Sequence, residues 1–268
     1  MSADVAAVAP AGFNRLEPTP DEVMTIVASR ALVQGAVCFV GIGLPSLAAN
    51  LALRTHAPEL VLVYESGTIG ARPQHPPLSI GDGELADTAT AVVSVLEIFS
   101  YWLQAGRIDV GFLGAAQIDM FANINTTTIG HYHQPRVRLP GAGGAPEIAS
   151  NAKEVIIVLR QSSRSFVEQL DFVTSVGYGK GPGDRERLGL RGGGPSAVIT
   201  DLGVLRPNVQ SCELELTDIH PGVDVDFVKS CTGWPLKVRP TLRQTTAPSE
   251  QELAALRALD RSPHTSAR

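Results

Sequence analysis

The sequence predicts an α/β fold: an open, mostly parallel sheet with helices on both faces. Residues 36–43 (AVCFVGIG) have the pattern of a buried strand ending in a glycine-rich loop, residues 46–57 have helical spacing, and residues 59–67 (ELVLVYESG) form a second apolar strand. This order is a βαβ unit, whose two strands are parallel and whose helix covers the sheet. Two further apolar runs, 108–115 and 154–160, are typical of strands buried on both faces.

Composition and charge narrow the range of functions. The 268 residues are 44% hydrophobic and 18% charged, which is sufficient for one large core. The formal net charge of -5 and the scattered Lys and Arg residues are unlike a nucleic-acid-binding surface. The sequence has neither a signal-peptide pattern nor an uncharged apolar run of roughly 18 residues. We therefore expect a cytoplasmic protein with no nucleic-acid or membrane partner.

The three cysteines, Cys38, Cys212 and Cys231, are far apart in the sequence and lack the spacing of a zinc site. We expect buried thiols, without a disulfide framework. For the domain organisation, we expect a flexible N-terminal arm over residues 1–18 and a single domain over residues 19–268.

Local signals predict the remaining elements. Thr19 and Glu22 match a capping box with Pro20 at the first helical position, which predicts a helix that ends at Gly35. A second capping box, Ser249 with Glu252, opens a helix over residues 248–260. The other predictions are a helix at 88–106, a turn and an alternating strand within 117–130, a glycine-rich loop and helix start within 139–152 and an ordered loop or lid at 177–196. Residues 195–207 and 211–219 are predicted to be strands of a hairpin or meander, and residues 224–232 a helix.

Glu65 is a carboxylate at the end of an apolar strand, followed at once by Ser66 and Gly67. It is a solvated strand end, a ribose-binding acid of a dinucleotide fold, or a nucleophile. The segment GIGLPS at 41–46 nearly matches a dinucleotide fingerprint. However, Ser46 replaces the third glycine, and Pro45 removes an N–H from the loop. An oxidoreductase that uses a nicotinamide cofactor is therefore the weaker alternative.

A second glycine-rich loop, GAGGAPE at 141–147, offers backbone N–H groups to an oxygen atom that lies close to it. A carboxylate nucleophile and a loop of N–H donors are the parts that acyl transfer requires. Each motif also has a simpler interpretation, because Glu65 could be a solvated strand end and the glycines an ordinary helix-entry turn.

The order of several motifs resembles the β subunit of class I coenzyme A transferases, most closely the β subunit of glutaconate CoA-transferase. The similarity extends from about residue 20 to about residue 240. It is carried by VGIGLP (40–45), ESG (65–67), GAAQID (114–119), NINTTTIG (123–130), GAGGAPEIA (141–149), DFVTSVGYGKGPGDRERLGL (171–190) and GGPSAVITDLGVL (193–205).

The resemblance implies a chemistry and its residues. Glu65 would attack an acyl-CoA thioester and pass through a glutamyl-CoA intermediate with ping-pong kinetics. Backbone amides of Gly143 and Gly144, in the loop that begins at Gly141, would contribute to an oxyanion hole. Coenzyme A thioesters would be substrates, and no cofactor would be permanently bound. The family pattern also implies an α subunit, in a heterodimer or larger hetero-oligomer, with the site between the chains.

The sequence departs from the family pattern at Ala115, at Ala122 and around Glu65. Ala115 and Ala122 stand where many relatives have glycine, and a positive φ at Ala122 would strain the backbone. The sequence around Glu65 differs from the Ser-Glu-Asn-Gly of the 3-oxoacid branch, which favours the glutaconate branch. Some relatives that have lost the glutamate are ring-opening hydrolases or decarboxylases, and the presence of Glu65 argues against those activities. An acyl-CoA thioester hydrolase or ring-cleaving hydrolase on the same fold, in which Glu65 activates water, is the main alternative.

The remaining polar candidates have less specific signals. Gln117 and Asn125, with Ser66 and Gly67, are candidates to line the site, although the first two could simply cap turns. His131 and His133 would share one face of a strand, but no third metal ligand is near in the sequence, so we predict no metal site. Arg185 and Arg187 could bind CoA phosphates or a substrate carboxylate. They could equally belong to a solvated charged loop.

Overall fold

The computed structural model describes residues 17–260, and its largest element is a ten-stranded sheet. The strands of this sheet are β1 (Val37–Val40), β2 (Val61–Val63), β3 (Thr68–Ile69), β4 (Ala91–Val92), β5 (Val110–Gly114), β10 (Glu154–Val158), β11 (Pro195–Ile199), β12 (Gly203–Pro207), β13 (Leu214–Ile219) and β14 (Lys237–Gln244). Their spatial order is β14-β13-β12-β11-β10-β5-β1-β2-β3-β4. Two small antiparallel pairs join β6 (Gln117–Ile118) to β7 (Ile124–Asn125), and β8 (Thr128–Ile129) to β9 (Val137–Arg138).

The sheet is mostly parallel, as the apolar runs predict. Five of its nine neighbouring pairs are parallel, including the four pairs that join β2, β1, β5, β10 and β11. The other four pairs are antiparallel and lie towards the two edges. Because β2 and β5 flank β1, the chain changes direction across the sheet at β1. In open α/β sheets, the carboxyl ends of the strands at such a point are where ligands bind.

Helices cover both faces of the sheet. The helices are α1 (Pro20–Arg30), α2 (Leu44–Arg54), α3 (Gly83–Asp87), α4 (Val95–Glu97), α5 (Ala145–Asn151), α6 (Asp184–Arg187), α7 (Val225–Ser230) and α8 (Glu250–Asp260), and a π-helix (Ile98–Leu103) continues α4. Alternate residues of β1 face opposite sides: Cys38 and Val40 pack in a cluster with α1 and α2, and Phe39 packs in a cluster with α5 and the π-helix. The predicted architecture is confirmed.

The two capping boxes form as predicted. The side chain of Thr19 accepts a hydrogen bond from the N–H of Glu22, whose carboxylate accepts one from the N–H of Thr19. Ser249 and Glu252 make the same reciprocal pair at the start of α8. α8 then packs on α1 and α2 through a small apolar cluster, which closes that face of the sheet.

The predicted helix over 88–106 is wrong in its first third. Residues 91–92 form β4, and the flanking N–H groups of Thr90 and Val93 bond to Ile69 O and Gly67 O. These bonds extend the sheet past β3, so the segment is extended until Ser94, whose side chain caps α4. Helical spacing of apolar residues did not reveal this pairing, because the partners lie more than twenty residues earlier in the chain.

Three other predictions need correction. The alternating strand within 117–130 is interrupted, because the Asn125 side chain accepts bonds from the N–H groups of Thr127 and Thr128 and turns the chain. The strand predicted to reach residue 67 ends at Val63. Of the three thiols, only Cys38 is buried, while Cys212 and Cys231 are partly exposed.

The predicted flexible arm over residues 1–18 falls almost entirely outside the described residues. Within residues 17–260, no helix is long and apolar enough to cross a membrane.

Candidate active site

Glu65 lies in the tight turn that joins β2 to β3. The N–H of Gly67 donates to Tyr64 O, and the N–H of Tyr64 donates to Thr68 O, which closes the hairpin around Glu65. Gly67 has φ of +110°, and a Cβ at this position would lie 2.0 Å from Val93 O. Only glycine therefore lets the chain turn here against the β4 segment. Glu65 is at the tip of a turn fixed by hydrogen bonds, rather than at a strand end.

Tyr64 anchors the turn beneath Glu65. Its ring is fully buried, and its hydroxyl lies 3.2 Å from the hydroxyl of Ser46 in α2. Burial raises the pKa of the Tyr64 phenol, so this group stays neutral. Ser46, which stands at the position of the third glycine in the near-match to a dinucleotide fingerprint, is buried and holds this packing. Ser46 thus has a structural role in the GIGLPS segment.

The glycine-rich loop 141–144 lies against Glu65. A Cβ built at Gly143 would lie 3.9 Å from Glu65 Oε2, and one built at Gly144 would lie 3.2 Å from it. The structure therefore brings together the two motifs that are more than seventy residues apart in the sequence. The loop is fastened at Gly141, whose N–H donates to Thr126 O and whose carbonyl accepts from the Thr126 hydroxyl.

The polar groups at this contact have no partners. Among residues 17–260, no hydrogen bond or ion pair engages the Glu65 carboxylate, and the N–H groups of Gly143 and Gly144 have no acceptor. The N–H of Gly141, in contrast, is already bonded. Within this loop, Gly143 and Gly144 are the free donors, and Gly141 holds them in place.

Phe99 forms an apolar wall beside Glu65 and the loop. A Cβ built at Gly144 would lie 2.7 Å from Phe99 Cζ, and the Phe99 ring packs on Phe39 with centroids 5.9 Å apart. The N–H of Gln104 bonds to Phe99 O, the wider spacing of a π-helix, which is frequent at functional sites. Sequence reasoning missed Phe99, since this contact is between segments distant in the chain and leaves no local signal.

Ser66 and Thr68 carry buried hydroxyl groups without partners. Neither Oγ atom has a hydrogen bond among the described residues, although each is removed from solvent. That Ser66 lines the site stays a prediction, while Gly67 contributes backbone conformation and no side chain. Buried polar groups without partners are uncommon and tend to mark functional positions.

Gln117 and Asn125 belong to a fixed hydrogen-bond network rather than to the Glu65 turn. Asn125 is fully buried and donates to Gln117 Oε1 and Thr128 O, while Gln117 Nε2 donates to Asp171. Asn125 therefore caps the turn between β7 and β8, one of the two predicted alternatives. Gln117 does line a cleft, but Glu65 is not among the residues of that cleft.

His131 and His133 lie in an exposed loop between β8 and β9, with ring centroids 5.7 Å apart. They are not on a strand, and no cluster of three metal-ligating side chains exists among the residues that the structure describes.

Arg185 and Arg187 have different roles, and neither is in contact with Glu65. Arg185 is buried, and its guanidinium donates to the carbonyl groups of Gly177, Ala149 and Gly192. Burial lowers the pKa of Arg185. Arg187 is exposed and pairs with Asp184. The prediction of a solvated loop is therefore wrong for Arg185, which is buried and bonds to three backbone carbonyls. Its Nε has no partner among the described residues, and ligand binding by Arg185 stays a prediction.

Ala122 adopts φ of +56°. This is the strained conformation that was raised because many relatives have glycine at this position. The adjacent Asp119 carboxylate accepts bonds from the N–H groups of Phe121 and Asn123, so the turn is held by side-chain contacts. Burial raises the pKa of Asp119. Ala115, in contrast, has no positive φ.

Glu65 lies close to the 141–144 loop, and its carboxylate has no partner among residues 17–260. This arrangement suits the nucleophile that the sequence predicts, and that role stays a prediction. The model of the coenzyme A transferase family matches residues 22–230. The chain belongs to this family.

Relatives and a solved structure agree with this membership. The chain is 61% identical to the β subunit of a 3-oxoadipate CoA-transferase of Pseudomonas knackmussii over 240 residues, 90% of this chain and 92% of the relative. It is 37% identical to the β subunit of a glutaconate CoA-transferase of Acidaminococcus fermentans over 226 residues, 82% and 84% of the two chains. The crystal structure of the Acidaminococcus fermentans glutaconate coenzyme A-transferase superposes with a TM-score of 0.85 at 32% identity, covering 91% and 95%. The predicted family and fold are confirmed.

Proposed function

We propose that the chain is the catalytic β subunit of a CoA-transferase that moves CoA between carboxylic acids through a covalent thioester on Glu65. The observation that carries the proposal is the unpaired Glu65 carboxylate beside the unpaired N–H groups of Gly143 and Gly144. A carboxylate without internal partners is available for attack, and N–H donors without acceptors could stabilise negative charge on a reacting oxygen.

The reaction has two halves: CoA is first transferred from the donor to Glu65, and then from Glu65 to the acceptor acid. Glu65 attacks the thioester carbonyl of the donor, forming a mixed anhydride and releasing CoA thiolate. The thiolate then attacks the glutamyl carbonyl, which gives glutamyl-CoA and frees the donor acid. The acceptor carboxylate reverses these steps, so that a new acyl-CoA leaves and the Glu65 carboxylate is restored. No atom is gained from water, and the proposal requires no resident cofactor.

The surroundings of Glu65 favour transfer over hydrolysis. A carboxylate is a weak nucleophile, so its orientation must be fixed and water must be kept from the thioester. The hairpin bonds of Tyr64 and Gly67 fix the backbone of the turn, and the Phe99 ring and Glu65 Oε2 both lie close to Gly144. These contacts support the assignment of Glu65 as nucleophile.

A second subunit would complete the site. The segment that bonds to the Glu65 turn exposes four large apolar side chains, of which Leu96 is 75% exposed and Tyr101 is 64% exposed: Val92, Val95, Leu96 and Tyr101. Several exposed large apolar side chains within one short segment are a candidate protein interface. We therefore place an α subunit over this segment, with Glu65 at the boundary between the chains.

The substrate class follows from the relatives. Both have names that refer to dicarboxylic acids, and the more similar of the two acts on 3-oxoadipate by its name. The proposal is accordingly a dicarboxylate CoA-transferase, with 3-oxoadipate as the first acid to test. The proposed location is the cytoplasm, where CoA thioesters are formed.

Reconstitution tests the proposal. The chain is purified alone and with its α subunit, and acyl-CoA formation from 3-oxoadipate and a donor thioester is followed. We expect ping-pong kinetics in the complex and negligible activity in the isolated chain. Release of free CoA without an acceptor acid would instead support the hydrolase, and full transferase activity in the isolated chain would contradict the shared site.

A further inference from the structure

A cleft of about 750 Å³ takes no part in the mechanism described above. Its lining includes the apolar residues Ile129, Val137 and Leu139 and the polar residues Gln117, Arg136 and Arg164. No carboxylate lines it, although the whole chain has a net charge of -5. The cleft is thus a local concentration of positive charge.

The two arginines of the cleft have no partners. Among the described residues, no carboxylate, carbonyl or aromatic ring engages the guanidinium of Arg136 or Arg164. Most other arginines of the chain are occupied, as Arg30 is with Glu252 and Arg257 is with Glu22. Arg138, only two residues from Arg136, lies over the Tyr132 ring and bonds to Tyr132 O. Two unpaired guanidinium groups in one cleft are suited to bind an oxyanion.

The position of Arg136 is constrained by the backbone. The N–H of Arg136 bonds to Ile129 O, and its side chain lies across Gly130, where a Cβ would be 3.5 Å from Arg136 Cγ and 3.7 Å from Nε. The Gln117 amide at the cleft is also fixed, by Asn125 and Asp171. The polar side of the cleft is therefore largely formed before a ligand arrives, which lowers the cost of binding.

The cleft and Glu65 share the carboxyl edge of the sheet. Gln117 follows the end of β5, Arg164 follows the end of β10, and Glu65 follows the end of β2. Since β2 and β5 are separated by β1 alone, the carboxyl ends of these two strands lie about 10 Å apart across the sheet. Leu139 of the cleft also leads directly into the glycine-rich loop that contacts Glu65. An elongated substrate bound at Glu65 is thereby directed towards the cleft.

We propose that Arg136 and Arg164 bind an oxyanion of the acyl-CoA substrate, while the apolar wall formed by Ile129, Val137 and Leu139 holds the chain that leads to it. The inference rests on the proposed function, because it names a second contact for the same substrate. The oxyanion is either the distal carboxylate of a dicarboxylic acyl group or a phosphate of CoA. Both have the same recognition chemistry, a planar guanidinium fork on paired oxygens.

The test is equilibrium binding by calorimetry, with the complex of the α subunit and a chain that carries Glu65→Gln so that no turnover occurs. Three probes are used: adipyl-CoA, hexanoyl-CoA, which lacks the distal carboxylate, and the dephospho form of hexanoyl-CoA, which lacks the 3′-phosphate. Arg136→Gln and Arg164→Gln are compared with Arg107→Gln, an exposed arginine without a partner just before the amino end of β5.

We expect Arg136→Gln and Arg164→Gln each to raise the Kd of at least one probe by about 10- to 100-fold. Arg107→Gln should leave the Kd of every probe nearly unchanged. A loss for adipyl-CoA alone identifies the carboxylate. An equal loss for adipyl-CoA and hexanoyl-CoA that disappears with the dephospho form identifies the phosphate. Arg136→Lys keeps the charge without the fork and should recover part of the affinity.

Kd values for both cleft variants equal to those of Arg107→Gln would overturn the inference. The transferase activity of the wild-type complex, measured separately, tests the proposed function. An active wild-type complex with unchanged Kd values in the variants would therefore reject the cleft and leave the transferase assignment intact. Altered Kd values in the variants together with an inactive wild-type complex would support the cleft and reject the transferase assignment.

Discussion

Two loops of the chain are both rich in glycine, but the polar groups of one lack partners and those of the other are mostly bonded. The loop 141–144 leaves the N–H groups of Gly143 and Gly144 unpaired next to the unpaired Glu65 carboxylate. The loop 177–194 surrounds the Arg185 guanidinium, which bonds to three backbone carbonyls. The Nε atom of Arg185 has no partner among the described residues, but its other guanidinium donors join this loop to α5. We therefore expect the first loop to serve chemistry and the second to serve structure.

The second loop also supports the first. One carbonyl that Arg185 binds belongs to Ala149 in α5, and the amino end of α5 carries the 141–144 loop. The N–H of Gly192 bonds to Ser150 O, at the other end of the same helix. The Arg185 network thus fixes the helix from which the free donors of Gly143 and Gly144 project.

The largest expected effect is on the chemistry of the first loop. Glu65→Gln should reduce kcat/KM of the complex by about 10⁴-fold or more, because the amide cannot attack a thioester. Stability should be unchanged, since Glu65 has no partner within residues 17–260. The matched control is Glu147→Gln, a carboxylate of the adjoining helix. Equal activity of the Glu65→Gln and Glu147→Gln variants in steady-state assays would contradict the role of Glu65 as nucleophile.

The second prediction concerns the structural loop. Arg185→Met should lower the free energy of unfolding by about 3 kcal/mol, because three carbonyl groups lose their buried donors. Arg187→Met, two residues away, should have little effect, since Arg187 is exposed. Urea unfolding of both variants measures the difference. Equal midpoints would show that the Arg185 network does not hold the loop.

The third prediction returns to the first loop. Gly144→Ala should lower kcat by about 10²-fold, because the new Cβ would lie 2.7 Å from Phe99 Cζ and 3.2 Å from Glu65 Oε2 and would displace the N–H donors. Gly83→Ala is the control, since a Cβ there meets nothing within 4 Å. Wild-type kcat in Gly144→Ala would mean that the glycine donors are not needed for turnover.

The smallest effect is expected at Ala122, whose carbonyl lies against Gly177 of the structural loop. Ala122→Gly should raise the free energy of unfolding by about 0.5 to 1 kcal/mol, because φ of +56° is costly with a Cβ. Ala115→Gly should lower it by about 0.5 to 1 kcal/mol, because Ala115 has no positive φ and glycine adds only chain entropy. Thermal unfolding of both proteins distinguishes the opposite signs, and two changes of the same sign would contradict the account of Ala122.

Local patterns predicted the elements but not the contacts between distant segments. The capping boxes at Thr19 and Ser249 formed because each involves residues three positions apart. The pairing of Val93 with Gly67, the packing of Phe99 against Gly144 and the burial of Arg185 depend on segments far apart in the sequence. Glu65 was predicted because its motif resembles that of a family, whereas the charges of residues 184–187 suggested a solvated loop and gave no sign that Arg185 is buried.

Trapping of the covalent intermediate tests the central claim most directly. The complex is incubated with an acyl-CoA donor, treated with borohydride and digested, and the peptide that contains residues 65–67 is analysed by mass spectrometry. Because borohydride reduces a glutamyl thioester to the alcohol, the account predicts a mass loss located at Glu65 that depends on the donor. An unmodified Glu65 peptide from a complex that is turning over acyl-CoA would contradict covalent transfer through Glu65.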